Sequence, residues 1–152
     1  MTRINDMPGH LIRRFQQIAV ALFHAEVEAA GFDLTPVQYA ALERVARSPD
    51  IDQATLAGLI AYDRTTITGV IDRLVAKGLL TRKVSDRDRR ARTLHVTDTG
   101  LETLHAATPA VEAAQDRMLQ GLSAGERAEF LRLTKKALEA VNDLSRAPLK
   151  ER

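Results

Sequence analysis

Apolar residues recur at helical spacing along most of the chain and predict six helices. The first helix is expected to run from His10 to Ala30 and to end at Gly31, because glycine readily adopts the left-handed conformation that closes many helices. Its apolar face is wide, so we expect it to be buried on more than one side. That face consists of Leu11, Ile12, Phe15, Ile18, Ala19, Leu22 and Phe23.

Residues suited to helix N-caps precede the other five helices, and Gln38 and Glu126 complete capping boxes in the second and the last. The second helix is expected to end near Arg47, the fifth to reach towards Gln120 and the last to run to about Leu144. Pro109 lies inside the fifth helix and is expected to kink or divide it. The predicted N-caps are Thr35, Asp52, Asp63, Thr97 and Ser123.

The fourth predicted helix, Arg64 to Lys77, is amphipathic and follows a short third helix after a tight turn. This order is typical of a helix-turn-helix, whose second helix enters the major groove of DNA, and an ordinary surface helix is the alternative. Arg64 could pair with guanine, threonines could contact bases, and Gly69 would allow close approach. Arg73, one turn further, is expected to meet phosphate. The apolar face is Ile67, Val70, Ile71 and Leu74, and the predicted DNA-binding residues are Arg64, Thr65, Thr66, Thr68, Gly69 and Arg73.

Two short extended runs, 79–84 and 92–96, flank a polar segment and predict a β-hairpin with a protruding basic tip. Six basic and two acidic residues lie between positions 82 and 92, although the chain's net charge is only +2. Such a concentration of charge is typical of contact with a polyanion, and a solvated charged loop is the alternative. Arg90 is expected to enter the minor groove with Asp88 bracing its guanidinium, and a simple surface ion pair is the alternative role for Asp88. The predicted phosphate contacts are Arg87, Arg89 and Arg92.

The composition fits one helical domain. Hydrophobic residues make up 45% of the 152 residues and aromatic residues 4%, a profile that favours helices packed on helices. Cysteine is absent, which excludes disulfides and thiolate chemistry. The N-terminal segment lacks the apolar core of a signal peptide, so we expect a cytoplasmic protein without a membrane partner.

The sequence has no recognisable catalytic motif, so we predict neither an enzyme nor a cofactor or metal site. A metal-responsive DNA-binding regulator stays open as an alternative, because three of the histidines could converge in a dimer beside Glu26 or Glu102. A winged helix used only for protein–protein contact is a further alternative, which the threonine-rich and arginine-rich surfaces disfavour. The four histidines are His10, His24, His95 and His105, and the first, second and fourth form the hypothetical cluster.

Three segments resemble the MarR family of bacterial regulators, and the resemblance extends over residues 10–144. They are DLTPVQYAALERV at 33–45, DQATLAGLIAYDRTTITGVIDRLVAKGLLTR at 52–82 and SDRDRRARTLHVTDTG at 85–100. The resemblance implies one mainly α-helical domain over 1–152 with a small β-hairpin wing. The winged helix-turn-helix lobe would span 32–97, and the dimerisation helices 10–31 and 98–145. It further implies a homodimer on a pseudo-palindromic operator in double-stranded DNA, usually as a repressor.

The terminal segments independently support a dimer, because they hold more apolar surface than so small a lobe needs. The two-fold axis of a dimer would place two half-sites about one helical turn of DNA apart. The apolar residues concerned are Leu101, Leu104, Val111, Met118, Leu119, Phe130, Leu131, Leu138, Val141 and Leu144.

The resemblance also implies a small-molecule effector, often an aromatic acid, bound between the dimerisation helices and the DNA-binding lobe. An arginine could pair with a carboxylate, while histidine and tyrosine could orient a ring. Taken singly, each candidate also has a structural explanation: a surface position, a bridge across the dimer or a place in the core. The segments 9–23 and 33–42 are similar to members that regulate catabolism of aromatic or heteroaromatic acids of the nicotinate type. The candidates are His10, Arg13, Arg14 and Tyr39.

Overall fold

A computed structural model of the chain describes residues 3–85 and 88–150. Within them, the structure consists of six α-helices and a small three-stranded antiparallel sheet, so the predicted mainly α-helical fold with a β-hairpin is confirmed. The helices are α1 (Pro8–Ala29), α2 (Pro36–Arg47), α3 (Gln53–Leu59), α4 (Arg64–Ala76), α5 (Asp98–Met118) and α6 (Ala124–Ala140). The strands are β1 (Ile51–Asp52), β2 (Leu80–Val84) and β3 (Arg92–Val96), and short 3-10 turns occupy Ile4–Asp6 and Asn142–Leu144.

All five predicted N-caps are present. Each accepts a hydrogen bond from the backbone N–H three residues further on, which satisfies a donor that the first helical turn leaves free. In the two capping boxes, the N3 side chain also accepts from the N–H of the cap residue. The caps are Thr35 for α2, Asp52 for α3, Asp63 for α4, Thr97 for α5 and Ser123 for α6.

Three helix predictions need correction. Helix α1 begins at Pro8, two residues before the expected His10, because proline is suited to the first turn of a helix. Pro109 does not divide α5, which continues through it and packs along α1 with Ala107 and Ala114 buried. Helix α6 ends at Ala140 and gives way to a 3-10 turn, so it stops short of the expected Leu144.

The sheet contains a strand that the sequence did not predict. Strand β1 pairs with β3, aligning Ile51 with Leu94, and β3 lies between β1 and β2 in the sheet. Two residues are too few to show an alternating pattern, and the pairing depends on β3, which lies about 40 residues further along the sequence.

The core lies between α2, α3, α4 and the sheet, and it extends to the packed pair of α1 and α5 through Phe23, Val27 and Leu104. The four residues predicted to form the apolar face of α4 are all buried. In contrast, no residue of α6 is buried within the chain. The largest fully buried side chains are Leu42, Leu56, Ile67, Ile71, Leu74, Leu80 and Leu94, with Val27 and Val45.

The end of α4, the start of β2 and the start of α5 meet at Thr97. Its hydroxyl donates to the carbonyl of Gly78 at 2.6 Å and accepts from the N–H of Gly100 at 2.9 Å. Its own N–H donates to the carbonyl of Leu79 at 3.1 Å. These bonds connect the helix-turn-helix directly to the long helix α5.

Candidate nucleic-acid interface

The first turn of α4 is held by Asp63. One carboxylate oxygen accepts from the backbone N–H of Thr66 at 2.8 Å and the other from the Thr66 hydroxyl at 2.9 Å. These two bonds hold the pKa of Asp63 below its ordinary value. The cap therefore fixes the direction in which α4 leaves the preceding turn, where Ala61 has a positive φ of 54°.

Because the apolar face of α4 is buried, the opposite face is presented to the surroundings. The predicted DNA-binding residues Arg64, Thr65, Thr66, Thr68 and Arg73 are exposed there, and Gly69 is half-buried. In the part of the chain that the structure describes, neither arginine takes part in an ion pair. Both guanidinium groups are therefore available to an external anion.

Gly69 borders open space. A Cβ atom built on it would meet no atom within 4 Å outside the backbone of its own helix. Internal packing of the chain therefore does not require glycine at this position. The observation fits the prediction that the missing side chain leaves room for an external partner.

Two of the three threonine hydroxyls of α4 already have partners within the chain. The Thr66 hydroxyl donates to Asp63, and the Thr68 hydroxyl donates to the carbonyl of Arg64 at 2.9 Å. The Thr68 oxygen also accepts from Gln53 Nε2 at 2.6 Å. The hydroxyl hydrogens of Thr66 and Thr68 are therefore already used within the chain, which leaves the methyl groups of these two residues as the more available contact.

Sequence reasoning did not identify Gln53, which the structure places on the same surface. It is the first residue of α3, and its amide reaches across to Thr68 on α4. A glutamine amide can pair with adenine in the major groove or bind phosphate. A signal was present in the sequence, because Asp52 as N-cap places Gln53 at the start of α3.

The hairpin predicted as a wing is formed by β2 and β3, whose register aligns Leu80 with Val96 and Val84 with Arg92. At its tip, Ser85 N–H donates to the carbonyl of Ala91 at 3.1 Å. Arg89, Arg90 and Arg92 are exposed. Arg87, the other predicted phosphate contact, lies outside the described residues.

Asp88 contacts the backbone of Arg90. Its carboxylate accepts from the Arg90 N–H at 2.9 Å, and its carbonyl accepts from the N–H of Ala91 at the same distance. Among the residues that the structure describes, Asp88 forms no ion pair. The prediction that Asp88 braces the Arg90 guanidinium is therefore wrong, because Asp88 bonds the Arg90 backbone instead. A short acidic side chain reaches a nearby backbone N–H more readily than a long, mobile guanidinium, so Asp88 shapes the turn.

At least one of the basic residues between positions 82 and 92 forms an ion pair within the chain. Arg82 forms an ion pair with Asp72, which joins β2 to α4. Arg82 therefore fixes the hairpin to α4, and the free positive charge is concentrated at the tip. At the other end of α4, Lys77 pairs with Asp33 at 2.9 Å, and its hydrogen bond and charge lower the pKa of Asp33.

The four candidate effector residues lie in two places. Tyr39 is half-buried, its hydroxyl lies 3.0 Å from Thr108 Oγ1, and its ring packs edge-on against Phe23 at a centroid distance of 6.3 Å. The Thr108 hydroxyl donates to the carbonyl of Leu104, so Tyr39 is the donor of the first bond. Tyr39 thus connects α2 to α5.

The other three candidates lie near the beginning of α1. His10 lies thirteen positions before Phe23, the α1 residue that contacts Tyr39, and this corresponds to about 20 Å along a helix. His10 is half-buried, Arg14 is exposed, and the exposed Arg13 bonds to Gln17 Oε1 at 3.2 Å. Within the chain, Arg13 bonds along α1 and Tyr39 bonds to α5, and a joint role of the four residues in binding an effector stays a prediction.

The described residues contain no group of three histidine, aspartate or glutamate side chains that could hold a metal ion. Glu26, one of the acidic partners considered for such a site, forms an ion pair with Arg117. The same part of the chain has no helix that is long and apolar enough to cross a membrane.

An exposed amphipathic helix after a short helix and turn, flanked by a basic hairpin, defines a winged helix-turn-helix protein. The sequence model of the MarR family matches residues 32–91. The chain is 29% identical over 137 residues to the transcriptional repressor NicR of Pseudomonas putida. The aligned region covers 90% of this chain and 85% of NicR. It is 30% identical over 129 residues to the transcriptional regulator HosA of Escherichia coli, covering 85% and 93% of the two chains. The chain belongs to the MarR family.

Solved structures of regulators match the whole architecture. PcaV of Streptomyces coelicolor in complex with its natural ligand has a TM-score of 0.85 at 31% identity, covering 93% of this chain and 98% of PcaV. BpsR of Bordetella bronchiseptica, whose DNA binding is regulated by 6-hydroxynicotinic acid, has a TM-score of 0.85 at 27% identity, covering 90% and 96%. The repressor CouR bound to a 23-mer DNA duplex has a TM-score of 0.82 at 27% identity, covering 88% and 94%. The predicted class of transcriptional regulator is confirmed.

Proposed function

We propose that this protein is a cytoplasmic transcriptional repressor. As a homodimer, it binds a pseudo-palindromic operator and releases it when a small aromatic or heteroaromatic acid binds. The observation that carries the proposal is the surface of α4. Its apolar face is fully buried, while Arg64 and Arg73 on the other face are exposed and, within the described residues, without ion-pair partners.

Helix α4 supplies base recognition in this proposal. Arg64, at its first position, donates to a guanine, while Thr65 and the methyl groups of Thr66 and Thr68 meet base edges. Gly69 allows the helix to approach the groove closely, and Arg73 binds phosphate. The exposed arginines of the wing contact the backbone and minor groove beside it, and such contacts position the protein and strengthen binding to any sequence.

A second copy of the chain covers the apolar faces of α1 and α6. Helix α6 touches α1 of its own chain through Phe130, whose ring packs edge-on against Phe15 at 5.5 Å. Large exposed apolar side chains on these two helices would otherwise face water, which is unusual for a monomeric protein. They are Leu11, Ile12, Ile18, Leu131, Leu133 and Leu138, with Val141 and Leu144 just beyond α6.

The effector is proposed to act where the dimerisation helices meet the DNA-binding lobe. Tyr39 supports this location, because it joins α2 of the lobe to α5 through Thr108. BpsR supports the ligand class, because its DNA binding is regulated by 6-hydroxynicotinic acid. PcaV, whose structure contains its natural ligand, supports the presence of a small-molecule effector. His10, Arg13 and Arg14 could supply a carboxylate contact once the dimer is formed. The ligand releases DNA only if it favours one spacing of the two lobes over the other.

Fluorescence anisotropy with purified protein tests the proposal. The probes are a labelled duplex from upstream of the coding region and a scrambled duplex, each titrated over a range of salt concentrations. Preferred binding to the first, weakening steeply with salt, supports the regulator. Benzoate-type and nicotinate-type acids are then added to the bound complex. Equal binding to both duplexes, with operators selected from a random pool also failing, would contradict sequence-specific recognition.

A further inference from the structure

The C-terminal tail, residues 141–150, folds back onto the helix-turn-helix. Asn142 closes the tail into a loop: its Oδ1 accepts from the N–H of Leu149 at 2.9 Å, and its Nδ2 donates to the carbonyl of Leu149 at 3.0 Å. Lys150 N–H then donates to the carbonyl of Gly58 in α3 at 2.9 Å. The tail is therefore attached to the lobe by a backbone hydrogen bond and held in shape by a side chain.

The surface of α3 is shaped to receive this tail. Gly58 has no side chain, and the methylene groups of Lys150 occupy the space beside it. A Cβ atom built on Gly58 would lie 3.0 Å from Lys150 Cδ and 3.3 Å from its Cβ and Cγ. A larger residue at position 58 would push Lys150 away.

The tail also places the positively charged side chain of Arg146 at the beginning of α4. The Arg146 guanidinium lies 3.5 Å from Asp63 Oδ2, and its side chain is 89% exposed. Asp63 is the N-cap of α4 and directly precedes Arg64, the first residue proposed to read bases. One long contact to a carboxylate leaves most of the five N–H donors of Arg146 available.

The charge balance at this position favours an anion as partner. An unpaired Asp63 carboxylate would repel a phosphate backbone lying against the first turn of α4. Arg146 offsets that charge and still exposes a planar guanidinium suited to phosphate oxygens. Lys150, which packs on Gly58 five positions before Asp63, adds a second positive charge to the tail, and within residues 3–85 and 88–150 it forms no ion pair.

We propose that the C-terminal tail is a DNA-binding arm, in which Arg146 and Lys150 contact backbone phosphates beside the first turn of α4. This inference rests on the proposed function and adds a contact surface to the helix and the wing. Phosphate contacts strengthen binding to every sequence alike, so the arm is expected to raise affinity without changing the preferred operator.

The test is the salt dependence of binding for Arg146→Ala, measured by anisotropy on a scrambled duplex and on the operator duplex. Loss of one phosphate contact lowers the slope of log K against log salt by about 0.9. If the plots of the variant and wild type meet at 1 M salt, affinity at 0.1 M falls by about eightfold. Arg146→Ala combined with Lys150→Ala is expected to lower the slope by about 1.8. Arg146→Lys, which keeps the charge, is expected to keep most of the slope.

Arg132→Ala is the matched control, because it removes one exposed arginine that pairs with Glu129 on α6. Gel filtration checks that each variant has the assembly state of the wild type. Equal slopes for Arg146→Ala, Arg132→Ala and wild type would overturn the arm. So would a lower melting temperature for Arg146→Ala with an unchanged slope, which would mean that Arg146 only supports Asp63. If wild type itself binds no duplex, the proposed function fails, whereas normal wild-type binding with an unaffected variant refutes the arm alone.

Discussion

Gly100 lies so close to the carbonyl oxygen of Leu79 that any side chain at position 100 would overlap that oxygen. Leu79 follows α4 at the start of the wing, whereas Gly100 lies in the first turn of α5. The contact therefore joins the DNA-binding lobe to a helix that also packs along α1. Together with the bonds of Thr97, this contact fixes the start of α5 against the segment that follows α4. We therefore expect a displacement of α5 to be transmitted to α4.

Gly100→Ala is expected to destabilise the protein by roughly 1–3 kcal/mol, because the added methyl group meets backbone, which cannot rotate away. Urea unfolding of wild type and variant measures the change. We also expect the variant to bind DNA less tightly at temperatures where it remains folded, since displacing α5 from Leu79 misaligns α4. Unchanged stability and affinity would show that the close contact between Gly100 and Leu79 does not determine the position of α5 relative to α4.

Gly69→Ala is expected to change the stability of the protein in the opposite direction from Gly100→Ala. The position is helical and borders open space, so alanine is expected to stabilise the free protein by up to about 1 kcal/mol. The same methyl group would lie between α4 and the groove, so binding to the operator is expected to weaken. Unfolding and anisotropy measured on one preparation would separate the two effects. A variant that is both more stable and equally tight in DNA binding would contradict close approach at Gly69.

Local chemistry accounts for most of what the sequence predicted correctly. The caps and the buried face of α4 depend on residues within four positions of one another, so they can be recognised without knowing the fold. Strand β1 depends on a distant partner, and the Asp88 contact depends on the shape adopted by the tip of the wing. The same limit applies to the tail, since nothing near Lys150 in the sequence indicates that it packs on Gly58.

Arg90→Ala is expected to weaken binding to operator and scrambled duplexes by similar factors and to lower the salt slope by about one. The exposed position of Arg90 at the tip of the wing supports this expectation. Arg132→Ala is a suitable control, because it removes one exposed arginine that lies on α6 and not on the wing. If Arg132→Ala lowers the slope as much as Arg90→Ala does, the effect reflects net charge instead of a contact by Arg90.

Arg64→Ala is expected to cost on the order of 1–3 kcal/mol on the operator and to relax the preference at particular base pairs. The scrambled duplex should be affected much less, because a base contact adds little to non-specific binding. Competition with operators carrying single base-pair changes identifies the positions that Arg64 reads. If Arg64→Ala binds operator and scrambled DNA in the wild-type ratio, α4 does not read bases through this residue.

Asp63 is expected to make the stability of the protein depend on pH in the acidic range. Hydrogen bonds from the Thr66 backbone and hydroxyl stabilise its ionised carboxylate, so its pKa is lower in the folded state than in the unfolded chain. Its contribution is therefore fully present above the unfolded value of about 3.9 and is lost as the pH falls through the folded value. Asp63→Asn keeps an oxygen that can cap the helix but does not titrate. Urea unfolding from about pH 6 down to pH 2.5 should thus show the difference between wild type and variant shrinking below about pH 4. Parallel pH profiles would mean that the carboxylate charge at the start of α4 does not stabilise the fold.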